Sequence, residues 1–290
     1  MTLEELRKIS DESGISLHEA ALIVNMSDNG DDPQKTKEEL LSYLKVILEE
    51  SEKQYGKVHN TLTGMTGDNA QKIAHKGPIL NNTFVHTAIV TAMSISESNA
   101  SMGRVVACPT AGASGIIPGV FYAMYRIKNI SLEKLLEGYI ISAAIGNIIS
   151  SKATLSGAAG GCQAEIGSAV AMASAALTYI YGGDCSQIGS AAALSLKSLL
   201  GLVCDPIGGY VEVPCVKRNA SLVSLAITCS EIALSGVESV VPFDEVVTSM
   251  ERVGKSIPWT LRETGLGGIA ITPTAKKIIK DIKEKNKKAL

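Results

Sequence analysis

The chain has 290 residues and a formal net charge of −2, from 27 basic and 29 acidic side chains. This balance gives no electrostatic basis for binding nucleic acid. Because 46% of the residues are hydrophobic and only 4% are aromatic, we expect a sizeable core of closely packed helices built from Ala, Val, Ile, Leu and Gly.

The N-terminal part of the chain is predicted to be helical over residues 1–55. A short helix from Leu17 is capped by Ser16, and a strong turn follows at 29–33. A charged helix is then predicted over 34–54, with a stripe of leucines and isoleucines that is typical of one buried face.

From residue 56 onward the sequence is richer in Gly, Asn and Thr. Buried helices are predicted at about 81–99, 116–125, 131–151, 163–181, 186–200 and 218–235. Strand signals are few, so the predicted fold is mostly α: a compact bundle of buried small-residue helices with Gly- and Pro-rich loops forming a site. We expect a main domain over 56–272 and a basic C-terminal tail over 273–290, which is either a solvated helix or a contact for an acidic surface.

We expect neither an export signal nor a membrane span. The opening residues are charged and amphipathic, unlike a secretory signal. The uncharged stretch 166–183 is rich in Gly, Ala and Ser and poor in large aliphatics, which favours a buried helix over a span. These features indicate a cytoplasmic protein, in which the six cysteines serve as metal ligands, core residues or catalytic groups rather than as disulfides.

Three of the cysteines have unusual surroundings: Cys162, Cys204 and Cys215. Each lies at a loop or helix edge flanked by Gly or Pro, where the sulfides of an inorganic cluster can approach the main chain. Helix N-termini and the neighbouring Lys217 or Arg218 favour the thiolate form. A zinc ribbon is disfavoured because the three contain no C-x-x-C pair. The pattern alone leaves open that all three are ordinary loop cysteines.

The other three cysteines are interpreted as structural thiols. Cys108 ends an apolar run, and Cys185 and Cys229 lie in or beside helical stretches. Free cysteines in such places usually behave as small buried hydrophobes. Cys185 and Cys229 should therefore be dispensable for any metal site.

Three long segments carry a resemblance to a known family. They read RVVACPTAGASGIIPG at 104–119, SGAAGGCQAEIG at 156–167 and GLVCDPIGGYVEVPCVKRNA at 201–220. With 41 residues between the first two cysteines of the trio and 10 between the last two, the chain resembles bacterial iron–sulfur L-serine dehydratases. The similarity extends from about residue 60 to residue 272. It is greatest to the α chain of the two-chain form, since the extra N-terminal domain of single-chain members is lacking.

The resemblance implies an oxygen-sensitive [4Fe–4S] cluster held by Cys162, Cys204 and Cys215, with one iron free of protein ligands. That iron would act as a Lewis acid on the hydroxyl of L-serine, giving pyruvate and ammonia without a redox change. Single-chain members can end in a cysteine that covers the fourth iron; this sequence ends at Leu290 without one, so water, substrate or a partner chain is expected there. A β chain and a higher oligomer are the expected partners.

Substrate contacts are predicted beside these cysteines. The candidate substrate-binding residues are Thr110, Gly112, Ser114, Ser156, Gly157, Arg218 and Asn219. The segment 110–115 precedes an apolar helix, so its N–H groups can cradle a carboxylate, although a plain helix-entry turn is the alternative. Arg218 can pair bidentately with the same carboxylate, or form a surface salt bridge instead.

The general base is not assigned from the sequence. The four histidines are His18, His59, His75 and His86. We expect His18 on the surface and His86 in the core, whereas His59 and His75 lie in a polar region and can line the mouth of a site. The resemblance implies that the catalytic histidines come from the β chain.

Three other functions remain open at this stage. A pyridoxal-phosphate dehydratase could use Lys152 as its Schiff-base lysine, but that fold alternates strands and helices. A related cluster lyase could act on another β-substituted amino acid such as cysteine, with almost the same pocket chemistry. The non-enzyme alternative is a helical scaffold or regulatory subunit whose cysteines all lie in the core.

Overall fold

The computed structural model describes residues 1–30 and 32–288, and its regular elements are helices. The α-helices are α1 (Leu3–Ser13), α2 (Leu17–Asn29), α3 (Pro33–Gln54), α4 (Asn69–Lys76), α5 (Thr83–Ala100), α6 (Ile116–Lys128), α7 (Leu132–Lys152), α8 (Gly157–Gly160), α9 (Ser168–Ile180), α10 (Cys185–Lys197), α11 (Cys215–Leu234), α12 (Phe243–Ser256) and α13 (Pro273–Lys288). Short 3₁₀ helices span Ala111–Ala113, Ile207–Gly209, Trp259–Leu261 and Gly268–Ile271, and a π turn spans Gln163–Gly167. Over this described part the predicted mostly-α fold is confirmed, because it contains no β-strand.

The centre of the molecule is a group of buried helices, with α9 surrounded by α6, α7, α10 and α11. Glycines let neighbouring helices approach closely. A Cβ atom on Gly138 of α7 would lie only 2.4 Å from Cδ1 of Ile180, and one on Gly119 of α6 only 2.7 Å from the Ala88 carbonyl oxygen. Small residues at these contacts are therefore a steric requirement of the packing.

Hydroxyl side chains within the core are satisfied by one another and by their own helices. Thr178 donates a 2.8 Å hydrogen bond to the Ser174 carbonyl, and its hydroxyl also contacts that of Ser230 at 2.9 Å. Ser195 contacts the Ser174 hydroxyl at 2.7 Å. These bonds offset the cost of burying polar groups in an otherwise apolar interior.

The N-terminal helices pack on this core and begin at recognisable caps. Thr2 and Glu5 form a capping box at α1, and Asp32 caps α3 with Pro33 in its first turn. Leu44 of α3 is fully buried in the same hydrophobic cluster as the central helices. Of the predicted turn at 29–33, residue 31 lies outside the described residues.

Two helix boundaries differ from the sequence prediction in ways that affect the site. The helix predicted at 163–181 opens as the π turn Gln163–Gly167 before continuing as α9. The helix predicted from residue 218 begins at Cys215, so that this cysteine lies in the first turn of α11. Among the helices of the described residues, none is long and apolar enough to cross a membrane.

Candidate functional site

Three separate segments bring Cys162, Cys204 and Cys215 into one region. Burial raises the pKa of Cys204, and the charges of Cys162, Glu165 and Cys215 raise it further. Burial and the charge of Cys162 likewise raise the pKa of Cys215 to about 12. Since each of these thiols influences another, the trio singled out from the sequence forms a single neighbourhood, although 52 residues lie between its first and last members.

Glycines allow the Cys162 segment to pass close to the Cys204 segment. Gly161 has φ of +78°, and a Cβ atom there would lie 2.9 Å from the Leu202 carbonyl oxygen. The same carbonyl accepts a 3.0 Å hydrogen bond from the Gln163 N–H. A Cβ atom on Gly157 would lie 3.3 Å from the Cys204 sulfur. Larger residues at these positions would push the two segments apart.

Cys204 is held by its backbone against the segment that follows α12. Its N–H donates to the Leu261 carbonyl at 2.9 Å, and its carbonyl accepts from the Glu263 N–H at 2.7 Å. Glu263 adopts φ of +63°, a left-handed conformation that is uncommon outside glycine. The position of Cys204 is therefore fixed without use of its side chain.

A buried ion pair joins the Cys204 segment to α11. The Arg218 guanidinium donates to an Asp205 carboxylate oxygen and to the Val203 carbonyl, each at 2.9 Å. Asp205 is only 3% exposed and also accepts a 2.8 Å bond from the Ile269 N–H. The predicted role of Arg218 in binding a substrate carboxylate stays a prediction, but two of its N–H groups already donate within the protein.

Arg218 also contributes to the electrostatics of the first cysteine. Burial raises the pKa of the Cys162 thiol to about 11, and the positive charge of Arg218 opposes this rise. A guanidinium next to a buried thiol stabilises its thiolate form. The arginine is thus a neighbour of Cys162 as well as a structural link to Asp205.

Asn219 fastens the predicted substrate loop 110–115 to the first turn of α11. Its Oδ1 accepts the Gly115 N–H at 3.0 Å, and its Nδ2 donates to the Gly112 carbonyl at 2.8 Å and to the Cys215 carbonyl at 3.0 Å. Both ends of this amide are therefore engaged by the protein. Its predicted contact with substrate remains a prediction, and its observed contacts give it a positioning role.

The other predicted substrate residues differ in their accessibility. Ser114 is buried and donates to the Ala111 carbonyl at 2.7 Å, whereas Ser156 is exposed at the start of α8 without a side-chain capping bond. The Thr110 hydroxyl is buried and makes no hydrogen bond within the described residues. Thr110 is therefore the member of this set with an unused hydrogen-bonding group.

Glu165 is a residue of this region that the sequence interpretation missed. It lies on the π turn, half-buried, and a Cβ atom on Gly112 would approach its carboxylate to 3.4 Å. Burial raises the pKa of Glu165, the Thr110 hydroxyl opposes that rise, and the charge of Glu263 adds to it. A signal was present in the sequence, because Glu165 is the one charged residue between Lys152 and Asp184.

Comparison with known proteins decides the family. The family described as "Serine dehydratase alpha chain" matches residues 6–270. The chain belongs to that family. It is 38% identical over 286 residues to a "Probable L-serine dehydratase, alpha chain" of Bacillus subtilis, which covers 97% of this chain and 94% of the relative. It is 40% identical over 283 residues to the "L-serine dehydratase, alpha chain" of Peptoniphilus asaccharolyticus, which covers 97% of each chain.

A relative with a different chain length matches over less of the sequence. The "L-serine dehydratase" of Streptomyces coelicolor is 37% identical over 182 residues, which is 62% of this chain and 40% of the relative. The family membership of this chain is therefore shown by full-length matches to α chains and by a partial match to a longer protein.

Within this family member, Cys108 and Cys229 are buried, whereas Cys185 is half-buried beside the charged Arg7 and Glu4. Burial alone raises the pKa of Cys108 to about 12, and its sulfur contacts the Val106 carbonyl at 3.3 Å. Cys229 is buried within α11, and Cys185 opens α10. No group of three or more His, Cys, Asp or Glu side chains in residues 1–30 and 32–288 is arranged to hold a metal ion.

The histidines make contacts elsewhere. His18 was expected on the surface, but it is half-buried, and its Nδ1 contacts the Tyr179 hydroxyl at 2.8 Å. His59 is half-buried, with Nδ1 at 3.4 Å from the Ser101 hydroxyl, and His75 is exposed near the end of α4. Neither the His18 contact nor the His59 contact involves a cysteine, and the buried Nε2 of His59 has no hydrogen-bond partner within the described residues.

Two buried carboxylates fold the segment containing His59 against the rest of the protein. Glu97 is fully buried and accepts four hydrogen bonds of 2.7–3.1 Å from residues 67–70. Glu212, three residues before Cys215, accepts 2.8 Å bonds from the Thr61 hydroxyl and the Thr63 N–H. The segment 59–70 is thereby attached directly to the backbone that leads into the cysteine region.

Proposed function

We propose that this protein is the α chain of an iron–sulfur L-serine dehydratase, which converts L-serine to pyruvate and ammonia. The observation that carries the proposal is the gathering of Cys162, Cys204 and Cys215 in a glycine-rich region of a chain that belongs to the serine dehydratase α-chain family. Two relatives that match almost the whole chain are named as L-serine dehydratase α chains.

The three cysteines suit a [4Fe–4S] cluster better than a single ion. One ion bound by thiolates at about 2.3 Å needs its sulfur atoms within about 4 Å of one another. A four-iron cube binds each thiolate through a different iron, so its sulfur ligands lie farther apart. Gly157 and Gly161 let the Cys162 segment pack closely against the Cys204 segment. Cysteine thiolates are the donors that such a cluster takes, so the chemistry of the three side chains fits it.

The residues around the cysteines would prepare the site for that group. Arg218 stabilises negative charge on Cys162, and Asp205 fixes the arginine in place. Asn219 holds the loop 110–115 against the Cys215 turn. When bound by three thiolates, the cluster supplies one iron that acts as a Lewis acid on the substrate hydroxyl. Together these residues would define a buried site with one accessible reactive face.

We further infer that a β chain completes the enzyme. The names of the full-length relatives specify an α chain, and the longer relative has 60% of its own length beyond the match. No histidine contact observed here involves the cysteine region. We therefore propose that the β chain supplies the general base. We also propose that the complete enzyme is cytoplasmic and forms a higher oligomer.

Anaerobic expression with and without a candidate β chain tests this function. Iron, acid-labile sulfide and pyruvate release should be measured on both preparations, with kcat/KM determined for serine, threonine and cysteine. We expect iron in both preparations, pyruvate from serine when the β chain is present, and the highest kcat/KM for serine. A colourless, iron-free protein in both preparations would contradict the proposal. A higher kcat/KM for cysteine than for serine would mean that the enzyme is a cluster-dependent lyase acting on cysteine.

A further inference from the structure

Glu165 is a carboxylate in the cysteine region without a balancing charge. Its carboxylate forms no ion pair within the described residues, and the neutral Thr110 hydroxyl lies beside it. Its described neighbours include the Thr110 hydroxyl and the Glu263 carboxylate, and no cation is among the groups that influence it. Because an uncompensated carboxylate is costly to bury, this arrangement indicates that the missing partner is a ligand.

Two glycines lie close to this carboxylate. A Cβ atom on Gly157 would lie 2.5 Å from its Oε2, and one on Gly112 would lie 3.4 Å from its Oε1. Neither glycine has a positive φ, so the backbone conformation does not require glycine at these positions. At residue 157 the requirement is steric, because any side chain there would collide with the Glu165 carboxylate. The carboxylate is thereby kept beside the Cys204 sulfur, which the same Cβ atom would approach to 3.3 Å.

The turn that carries Glu165 is anchored by the side-chain amide of Gln163. Gln163 is fully buried; its Nε2 donates to the Met250 carbonyl and its Oε1 accepts from the Gly201 N–H, each at 2.8 Å. The π geometry of Gln163–Gly167 is a feature often found at functional sites. Glu165 is thus held in position by contacts that do not involve its own carboxylate.

The charges of the region select one end of an amino acid. Glu165 and Glu263 contribute negative charge, while the nearby Arg218 is paired with Asp205. A zwitterionic amino acid would therefore be attracted here through its ammonium group and repelled through its carboxylate.

We propose that Glu165 binds the α-ammonium group of the substrate. The unpaired Thr110 hydroxyl provides a second polar contact at the same place. This inference rests on the proposed serine dehydratase function, and it orients the amino acid with its ammonium group toward Glu165. It also makes Glu165 a specificity determinant for amino acids over hydroxy acids.

Glu165→Gln tests the proposal because it keeps the shape of the side chain and removes its charge. In the anaerobically prepared enzyme, with its β chain, we expect the KM for L-serine to rise about 10- to 100-fold, with kcat changed much less. The inhibition constant of 3-hydroxypropanoate, which is serine without its amino group, should not rise, since that molecule cannot make the lost contact and its carboxylate is no longer repelled by Glu165. Iron and sulfide content should equal that of the wild type.

Glu251→Gln is the matched control. Its carboxylate pairs with Lys255 at 3.0 Å and accepts the Thr154 N–H at 3.2 Å, so it already has partners. The KM for L-serine in this variant should stay within about threefold of the wild-type value. If Glu165→Gln does not retain the cluster, Glu165→Asp provides the test, because it keeps the charge and withdraws it by one methylene; its KM should also rise.

Four results would overturn the inference. They are an unchanged KM in Glu165→Gln, a fall in kcat at unchanged KM, equal weakening of L-serine and 3-hydroxypropanoate, and loss of the cluster in both Glu165 variants. A wild-type enzyme that loads iron but releases no pyruvate from serine would instead contradict the proposed function. The two failures are therefore distinguishable.

Discussion

The four buried cysteines lie in two regions of the molecule and are buried to the same degree. Cys162 and Cys204 are 3% and 4% exposed, and Cys108 and Cys229 in the helical core are 3% and 2% exposed. The regions differ in what surrounds each sulfur. Burial is the sole influence on Cys108, whereas Cys162 has Arg218 and Glu165 beside it. Burial alone therefore says little about the role of a cysteine; its charged neighbours and backbone say more.

The two regions are also held together by different forces. The core relies on close contact between small and aliphatic residues, as at Gly138 against Ile180. The cysteine region relies on polar anchors such as Asp205 and Asn219, whose hydrogen bonds reach across segments. Substitutions in the two regions should therefore change different measurable properties.

The largest expected effect is loss of the cluster on replacing a single ligand. Cys162→Ser, Cys204→Ser and Cys215→Ser should each abolish iron binding and pyruvate release, because a cluster with an open iron has no spare thiolate. Cys185→Ser and Cys229→Ser should retain both. Iron analysis and a pyruvate assay on anaerobic preparations provide the measurement. Equal behaviour of all five variants would remove the distinction between the regions.

Asp205→Asn should give the next largest effect. The change leaves the Arg218 guanidinium buried without its carboxylate, which costs about 3–5 kcal/mol in the free energy of unfolding. Iron content should also fall, because Arg218 lies beside Cys162. Chemical denaturation measures the first effect and iron analysis the second.

Asp68→Asn is the control for that buried pair. Asp68 pairs with Lys72 at 2.7 Å, but both side chains are at least half exposed. Its replacement should cost about 1 kcal/mol or less and leave iron content unchanged. A similar loss of stability in the two variants would show that the Asp205 anchor is not special.

Ile145→Val tests the core alone. Ile145 is 1% exposed within the central cluster, so removing one methyl group should lower the free energy of unfolding by about 0.5–1.5 kcal/mol. Because this residue lies in α7, outside the segments that carry the three cysteines, iron content should not change. If the iron content of Ile145→Val fell together with its free energy of unfolding, the core and the cysteine region would not be independent of each other.

The smallest expected effect concerns pH and His18. Burial lowers the pKa of His18, so the unfolded chain binds the proton more readily than the folded chain. The unfolding free energy should therefore decrease as the pH falls through the ordinary histidine range near about 6.5. Denaturation of wild type and His18→Gln at several pH values isolates this contribution. A wild-type stability that rises on acidification relative to the variant would contradict it.

The helical fold was accessible from the sequence because its evidence is local. Runs of small and aliphatic residues predicted the buried helices, and caps and turns such as Asp32-Pro33 predicted several boundaries. Helix α4 was missed because Asn69–Lys76 lies in a polar, Gly-rich stretch and carries no strong apolar stripe. Its start is set by the distant Glu97, which accepts hydrogen bonds from Asn69 and Ala70.

The site was only partly accessible for the same reason. Flanking glycines and prolines identified Cys162, Cys204 and Cys215, and the resemblance to a known family added their shared role. The ion pair between Asp205 and Arg218 depends on how the Cys204 segment folds back on α11, which no local pattern encodes. Glu165 was visible as an isolated charge, but its place near the cysteines depends on a π turn that helical periodicity does not predict.

The most direct test of the account is an iron count on two triple variants prepared anaerobically with the wild type. One replaces Cys162, Cys204 and Cys215 by serine, and the other replaces Cys108, Cys185 and Cys229. We predict about four irons and four sulfides per chain in the wild type and in the second variant, and none in the first. Equal iron in the two variants would contradict the assignment of the cluster to Cys162, Cys204 and Cys215.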